Sequence, residues 1–323
     1  MKKEYKGDYI ILEPESRFDI IVLYWITKSI GKIGSTIKWR EKIESGLKTK
    51  KISDVATILI QYNDIRIDHK IRSLRVTGRV IDTNKEELIG RKIGLDISIN
   101  GRAIFPKDKV VEKVISKTSS KEVILVIVLD IDGYIIAEVS DRIEIIDEKY
   151  IPASVILDNE EEFRGDLEKI NEIIRRHREK KSIAILGYNV GSKNLAKKIR
   201  GIDFKLEKTL NANMNGIITL LKEAAKNKEL NINNEFIKSL NIYEELLSGK
   251  LTKVVYGIKD IMTYIDYKMV HTIIFSDIII RDTKLLDDLY KIFLSCISLQ
   301  FVDSHSSLGH YVNQLGGIIG ITY

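Results

Sequence analysis

Three carboxylates near the beginning of the chain have the residue type and spacing that a hydrolytic metal site would need. Glu13, Glu15 and Asp19 lie close together in sequence, in the part of the chain that is richest in cations. Carboxylates beside a polyanion-binding surface can hold a divalent cation that activates water for phosphodiester cleavage. With Ser16 between them, they are also typical of a helix start. Spacing alone does not separate a catalytic site from a helix cap.

The first third of the chain is its basic part. Residues 1–120 carry 25 Lys and Arg against 16 Asp and Glu, and the remaining residues carry 27 against 30. This asymmetry favours contact with a polyanion, of which RNA is the first candidate. The candidate RNA-binding side chains are Lys38, Arg40, Lys42, Lys48, Lys50, Lys51, Arg75 and Arg79.

The first six of these cations lie in or beside a segment where the strand pattern breaks, after Arg40. Residues 28–51 hold eight basic and two acidic residues. Strand-like sequence on both sides would present this segment as one protruding basic hairpin, although a solvated loop has the same composition. Arg75 and Arg79 alternate with apolar residues, which predicts a basic row on one face of a strand.

Other catalytic signatures are weak in this sequence. It contains no Gly-x-Ser-x-Gly motif, and the loop 186–194 departs from the phosphate-binding consensus in its spacing. His305 and His310 would need further ligands to bind a metal. The single cysteine, Cys296, excludes an internal disulfide and lies in an apolar segment, where we expect a buried, unreactive thiol.

The order of the predicted elements indicates an α+β protein with three domains. Short strands in residues 1–120 predict a small β-barrel that ends in a linking helix, Lys107–Ser120. Three antiparallel strands followed by alternating strands and helices predict an RNase H-like domain over 121–249. Residues 250–323 predict a small α/β/α sandwich. No apolar run approaches the length of a membrane span, so we expect a cytoplasmic protein.

The last residues predict how the third domain closes. A short helix over Ser306–Asn313 precedes a Gly316-Gly317 turn, and an apolar strand over Ile318–Tyr323 ends the sequence. Adjacent glycines permit positive φ without a Cβ clash. A strand that is apolar on both faces is typical of a covered position in a sheet.

Several stretches resemble the landmarks of the pelota family, in the same order and at similar spacing. They are Glu13-Pro14-Glu15-Ser16 with Asp19, Leu23 and Tyr24; Ser73–Gly78; Val126–Ala137; Gly216-Ile217; Tyr256-Gly257; Ser276-Asp277; and Gln314–Ile318. The resemblance extends over essentially the full length and implies that the β-barrel of the first domain is Sm-like. It departs from the family after Ile151-Pro152, where Ala153-Ser154 leads into an acidic run, and at 211–215, before the Gly216 helix.

Two motifs of the related class-1 release factors are missing. The sequence has no Gly-Gly-Gln, and Asn-Ile-Lys-Ser does not occur in the predicted first domain. The resemblance therefore implies a monomeric ribosome rescue factor of no-go and non-stop mRNA surveillance that does not release peptide. It implies that the protein enters the ribosomal A site with an elongation-factor-1-alpha-type GTPase, and that it dissociates the subunits together with an ABC-type recycling ATPase.

Two alternatives remain open at this level. The family has been credited with a divalent-metal-dependent endoribonuclease in its first domain, for which Glu13, Glu15 and Asp19 are the available catalytic residues and a divalent metal cation the cofactor. The predicted last domain also resembles kink-turn-binding ribosomal proteins, so the chain could be a generic RNA-binding module.

Overall fold

The structure is a computed structural model with three separate β-sheets. It describes residues 1–45, 48–68, 70–117, 123–140, 143–150, 160–179, 183–208, 210–227, 234–250, 253–295 and 297–323. The contacts divide the chain into two compact units. The first unit is Met1–Ser120 with Leu286–Leu294, and the second is Lys121–Leu285 with Ser295–Tyr323. The predicted multidomain α+β class is confirmed.

The first unit is built on a seven-stranded sheet of order β1-β2-β7-β3-β4-β5-β6 whose neighbouring strands pair antiparallel. Its elements are β1 (Lys2–Lys6), β2 (Tyr9–Glu13), α1 (Arg17–Ile30), β3 (Lys32–Ser45), β4 (Lys48–Ile67), β5 (Ser73–Thr83), a 3-10 turn (Glu86–Leu88), β6 (Lys92–Ser98), β7 (Ala103–Pro106) and α2 (Lys109–Lys117).

The second unit contains a five-stranded sheet of order β10-β9-β8-β11-β12 and a four-stranded sheet of order β13-β16-β14-β15. Its elements are β8 (Ile124–Asp130), β9 (Gly133–Val139), β10 (Ile143–Tyr150), α3 (Glu160–Glu179), β11 (Ile183–Tyr188), α4 (Lys193–Lys198), β12 (Phe204–Glu207), α5 (Met214–Lys226), α6 (Asn234–Leu247), β13 (Val254–Tyr256), α7 (Ile258–Asp266), β14 (Val270–Ser276), a 3-10 turn (Asp277–Arg281), α8 (Thr283–Leu294), β15 (Ser298–Val302), α9 (Ser307–Gln314) and β16 (Ile318–Thr322). Residues 286–294 of α8 belong to the first unit.

Helix α1 is the core of the first unit. Ser16 begins it, because its side chain accepts the backbone N–H of Asp19, and the Asp19 carboxylate accepts the backbone N–H of Ser16 in return. Gly31 ends it in the left-handed conformation, at φ 74°. Every residue from Phe18 to Thr27 is buried. A helix that is buried on all sides needs no polar face, which explains its run of apolar side chains.

An aromatic cluster joins α1 to residues 286–294. The Trp25 Nε1–H donates to the Leu286 carbonyl at 2.9 Å, and the Trp25 ring lies 5.3 Å from that of Phe293. From α2, the Lys117 ammonium donates to the carbonyls of Phe293 (2.7 Å) and Leu294 (3.0 Å). These carbonyls belong to the last turn of a helix and have no partners within it. The segment is therefore part of the core of the first unit.

Strand β8 lies at the centre of the five-stranded sheet and is buried on both faces. On one side Leu125, Ile127 and Leu129 pack under α3 and α4. On the other side Val126 and Val128 join a second apolar cluster, which also includes α5, α6 and the four-stranded sheet. A strand covered on both faces is apolar without alternation.

Most predicted elements are present, with differences at their ends. The last helix and strand agree with the prediction to within one residue, and Gly317 has φ 82°. The apolar pattern predicts a helix over Thr283–Ser298, and this prediction is wrong at its end: α8 ends at Leu294 and β15 begins at Ser298. Cys296 lies outside the described residues, and the predicted domain boundaries stay predictions. Within the described residues, we find no helix with both the length and the apolar character of a membrane span.

Candidate nucleic-acid interface

The outer face of β5 carries the predicted basic row. Leu74, Val76 and Val80 are buried toward α1, and Arg75 and Arg79 alternate with them and are exposed. Strand pleating places residues two apart on the same face. The alternation therefore presents both guanidinium groups to solvent on the side of the sheet away from the core.

Neighbouring strands extend this row in both directions. Arg66 of β4 stands opposite Arg75, and Lys92 of β6 stands opposite Arg79. A β-bulge at Asn63 shifts the β4–β5 register, so that Arg66 shares the face of Arg75. The sequence analysis did not single out Arg66 or Lys92, because the pairing of strands is not visible in a one-dimensional pattern. We call Arg66, Arg75, Arg79 and Lys92 the sheet surface.

Two of the four cations are already paired with carboxylates. Arg66 Nε lies 3.0 Å from Asp64 Oδ2, and Arg75 Nη2 lies 3.3 Å from Asp96 Oδ2. These pairs are exposed, so each is worth no more than about 1 kcal/mol. Within the described residues, Arg79 and Lys92 form no such pair. The sheet surface can exchange its carboxylates for phosphates at small energetic cost.

The predicted basic hairpin is a direct continuation of the sheet. Strands β3 and β4 pair from Lys32↔Gln61 to Ser45↔Lys48, through the segment where the sequence pattern breaks. Lys38 is exposed. The backbone of the other five predicted cations, Arg40, Lys42, Lys48, Lys50 and Lys51, lies in this hairpin, and their side chains are outside the described part of the structure. Their role stays a prediction.

A cation–aromatic contact marks the base of the hairpin. The Arg91 guanidinium lies over the Trp39 ring, 5.2 Å from its centroid. On the strand opposite Trp39, Asp54 is paired with Lys85. The hydrogen bond from Lys85, followed by that from the Val55 backbone N–H, lowers the pKa of Asp54. Both contacts tie the hairpin to the segment between β5 and β6.

The three candidate catalytic carboxylates have structural partners. The Glu13 carboxylate accepts from Arg102 Nε at 2.8 Å, and this hydrogen bond raises the pKa of Arg102. Asp19 is buried and accepts the backbone N–H of Glu15 at 2.9 Å in the cap of α1. Lys2 Nζ lies 3.4 Å from the Glu15 carboxylate. Glu13 and Glu15 therefore have ion-pair partners, and Asp19 has a structural role in the cap of α1.

A metal site needs several donor side chains close together. Among the residues that the structure describes, no group of three or more His, Cys, Asp and Glu side chains could hold a metal ion. The described residues include Glu13, Glu15, Asp19, His305 and His310. The divalent cation and the catalytic role predicted for the three carboxylates therefore stay predictions, with no grouping of donors in the described residues to support them.

The fold relates the chain to known structures. No protein-family model matches the sequence, and no curated protein matches it either. The crystal structure of the Thermoplasma acidophilum Pelota protein is similar over 100% of this chain and 99% of its own, with a TM-score of 0.55 and 13% identity. This similarity shows a shared fold and confirms, at the level of the fold, the resemblance found in the sequence.

Two further structures align over the whole chain with lower TM-scores. A structure of ribosome-bound archaeal Pelota with ABCE1 aligns with a TM-score of 0.43 and 17% identity over 100% of this chain and 99% of that one. S. cerevisiae Dom34, a translation termination-like factor that interacts with Hbs1, aligns with a TM-score of 0.42 and 16% identity over 100% and 98%.

Proposed function

We propose that this chain, which has the Pelota fold over its full length, is a ribosome rescue factor that binds stalled ribosomes and promotes subunit dissociation without releasing the peptide. The observation that carries the proposal is the sheet surface: four exposed cations in register on three neighbouring strands of the first unit. Such a surface fits the phosphates of ribosomal RNA and mRNA. The missing Gly-Gly-Gln motif is consistent with binding that does not hydrolyse peptidyl-tRNA.

The hairpin extends the same sheet beyond the sheet surface. Because β3 and β4 stay paired to Ser45↔Lys48, this extension is a two-stranded ribbon. A two-stranded ribbon with basic residues can enter a groove that is too narrow for a whole domain. We therefore propose that the hairpin enters the decoding centre of the ribosome and contacts the phosphates of rRNA and mRNA there.

The partners follow from the sequence resemblance to the pelota family. They are an elongation-factor-1-alpha-type GTPase that delivers the protein and an ABC-type ATPase that acts with it in subunit dissociation, in the context of no-go and non-stop mRNA surveillance. The rescue factor would act as a monomer in the cytoplasm.

Co-sedimentation with ribosomes that have an empty A site tests the proposal. We expect wild-type binding that increases with the GTP-bound partner. The test variant is Arg66→Gln/Arg75→Gln/Arg79→Gln/Lys92→Gln, whose log-log salt slope should be flatter by roughly one unit for each phosphate that it no longer binds. Equal binding and an equal salt slope for wild type and variant would remove the sheet surface from the ribosome contact.

A gel of the RNA from the same tubes tests the endoribonuclease alternative. We expect intact mRNA with and without divalent metal, because Glu13, Glu15 and Asp19 are held in caps and ion pairs. Metal-dependent cleavage that disappears in the variant Glu13→Gln/Glu15→Gln would instead establish the alternative. Asp19 is left unchanged in this variant, because it caps α1.

A further inference from the structure

A second group of exposed cations lies on the second unit, where α3 and α4 cover the five-stranded sheet. Helix α3 contributes Arg175, helix α4 contributes Lys197 and Lys198, the turn after α4 contributes Arg200, and β12 contributes Lys205. We call these five residues the helix surface. None of them belongs to the first unit or to the predicted RNA-binding residues.

Helix packing brings the first four cations together. Ile174 and Ile199 are buried in the same apolar cluster, and each immediately precedes a cation of the helix surface, Arg175 and Arg200. The Arg200 backbone N–H donates to Asn171 Oδ1 at 3.4 Å. Asn171 lies one helical turn before Arg175 on α3. The end of α4 is therefore held against the outer side of α3.

Strand alternation places the fifth cation on the same side. Phe204 and Leu206 pack against the cluster on the opposite face of the sheet, so Lys205 points toward α4. The neighbouring pair supports this direction, because Lys193 at the start of α4 lies 2.8 Å from the Glu207 carboxylate.

The helix surface differs from an ordinary solvated helix face in its charge balance. Within the described residues, none of its five cations has a carboxylate within ion-pair distance. The neighbouring Arg176 is paired with Glu172 one turn earlier on α3. Lys and Arg near helix ends also stabilise the helix dipole, but that effect does not account for Lys205, which lies in a strand.

We propose that the helix surface binds the phosphate backbone of double-stranded RNA. These five exposed cations have no ion pair within the described residues and offer point charges for phosphates. A platform for stacking single-stranded bases would instead require aromatic side chains. Duplex RNA is recognised mainly through its shape and its backbone. The identity of this duplex rests on the proposed function: for a ribosome rescue factor, the duplex is a helix of ribosomal RNA.

The experiment compares two variants of the full chain. One removes four cations of the helix surface: Arg175→Gln, Lys197→Gln, Lys198→Gln and Arg200→Gln. The matched control removes four exposed lysines elsewhere in the second unit, with the same change of net charge: Lys250→Gln, Lys259→Gln, Lys268→Gln and Lys284→Gln. Both sets are exposed, so both variants should unfold at the temperature of the wild type, which is checked by circular dichroism.

The probes are a short blunt-ended RNA duplex and one of its strands alone, titrated at several salt concentrations. We expect the helix-surface variant to bind the duplex roughly tenfold more weakly than the control, with a log-log salt slope smaller by about 2–4. Equal affinities of the two variants would overturn the inference. Tighter binding of the single strand, or displacement of the duplex by polyglutamate at equal charge concentration, would also overturn it.

Ribosome co-sedimentation separates this inference from the proposed function. If the helix surface binds the duplex and the wild type does not sediment with ribosomes, the inference stands and the rescue function fails. If the wild type sediments with ribosomes and the two variants bind duplex equally, the rescue function stands and the inference fails. If the helix-surface variant unfolds early, the pair Arg175→Gln/Lys197→Gln takes its place, with Lys250→Gln/Lys259→Gln as its control.

Discussion

The sheet surface and the helix surface hold similar numbers of cations but differ in how those cations are balanced. On the sheet, Arg66 and Arg75 each have a carboxylate within 3.3 Å on their own or a neighbouring strand. On the helices, none of the five cations has such a partner within the described residues. A phosphate that reaches Arg66 or Arg75 must compete with Asp64 or Asp96, whereas one that reaches the helix surface competes with water and salt.

This difference in ion pairing should appear in how strongly and how selectively each surface binds RNA. Carboxylate partners hold the arginine side chains in defined positions, so the sheet surface is pre-organised but partly neutralised. The helix surface keeps its full charge on side chains that can reorient. We therefore expect the helix surface to dominate non-specific affinity for RNA, and the sheet surface to contribute more to the position of the bound RNA.

Removing the Trp25 side chain should destabilise the first unit, which carries the sheet surface, and leave the helix surface of the second unit unchanged. Trp25→Ala deletes a buried indole that packs on Phe293 and donates to the Leu286 carbonyl, so we expect a decrease of about 3–5 kcal/mol in the unfolding free energy of the first unit. Chemical denaturation measures this decrease. Trp25→Phe is the control, with a smaller decrease in stability. RNA binding by the helix surface should persist; its disappearance would mean that the two surfaces are not independent.

A methyl group at Gly78 should distort the sheet surface while leaving its charges in place. A Cβ at this position would lie 2.1 Å from the Gln61 carbonyl oxygen on β4, and backbone cannot move aside as a flexible side chain can. We expect Gly78→Ala to destabilise the first unit by about 1–3 kcal/mol and to weaken its RNA binding. At Gly94 the nearest atom to an added Cβ is 3.7 Å away. Equal effects of Gly78→Ala and Gly94→Ala on thermal unfolding would contradict this explanation.

The sequence was sufficient for those features that depend on local pattern. It predicted the basic row of Arg75 and Arg79, because alternation along one strand is local information. It did not indicate Arg66 and Lys92, because their place in the row depends on a bulge and on strand register. The helix surface was missed for the same reason: Arg175 and Arg200 are separated by a strand and a helix and meet only when both helices pack on the sheet.

The three carboxylates illustrate an ambiguity that sequence could not resolve. A capping box places an acidic residue three positions after a Ser or Thr at a helix start, and a metal site needs several carboxylates close together. Acidic residues clustered around Ser16 fit both patterns. The structure separates them by partner: Asp19 accepts backbone N–H groups, and Glu13 accepts from Arg102. The membership of residues 286–294 in the first unit was likewise unpredictable, because in sequence order they lie within the predicted third domain.

Removing a carboxylate partner should make the sheet surface more like the helix surface. Asp96→Asn releases the Arg75 guanidinium, so we expect RNA binding a few-fold tighter and a salt slope steeper by up to about one unit. Titration of the RNA duplex at several salt concentrations checks this. Glu87→Gln makes the same charge change at an exposed residue that has no ion pair in the described structure. If RNA affinity increases equally in both variants, the change in net charge, and not the release of Arg75, is responsible.

The smallest expected effect concerns an acidic group in the second unit. Desolvation by its neighbours, followed by the charges of Asp303 and Asp147, raises the pKa of Glu148, whose side chain stays exposed, and His305 and His310 act in the opposite direction. An acid with a raised folded pKa favours folding when protonated, so its contribution is favourable below the unfolded pKa and disappears as pH rises through the folded pKa. Glu148→Gln should therefore raise the unfolding temperature slightly at neutral pH and have no effect near pH 3. A uniform shift at all pH values would contradict this assignment.

The bond between Trp25 and Leu286 also has a consequence for synthesis of the chain on a ribosome. The two residues are 261 positions apart. Because translation proceeds at roughly 5–20 residues per second, Leu286 is synthesised on the order of 10–50 seconds after Trp25. After residue 120 has been made, residues 1–120 still lack the part of their core that residues 286–294 supply. Residues 1–120 can therefore complete their core only after residues 286–294 have been synthesised.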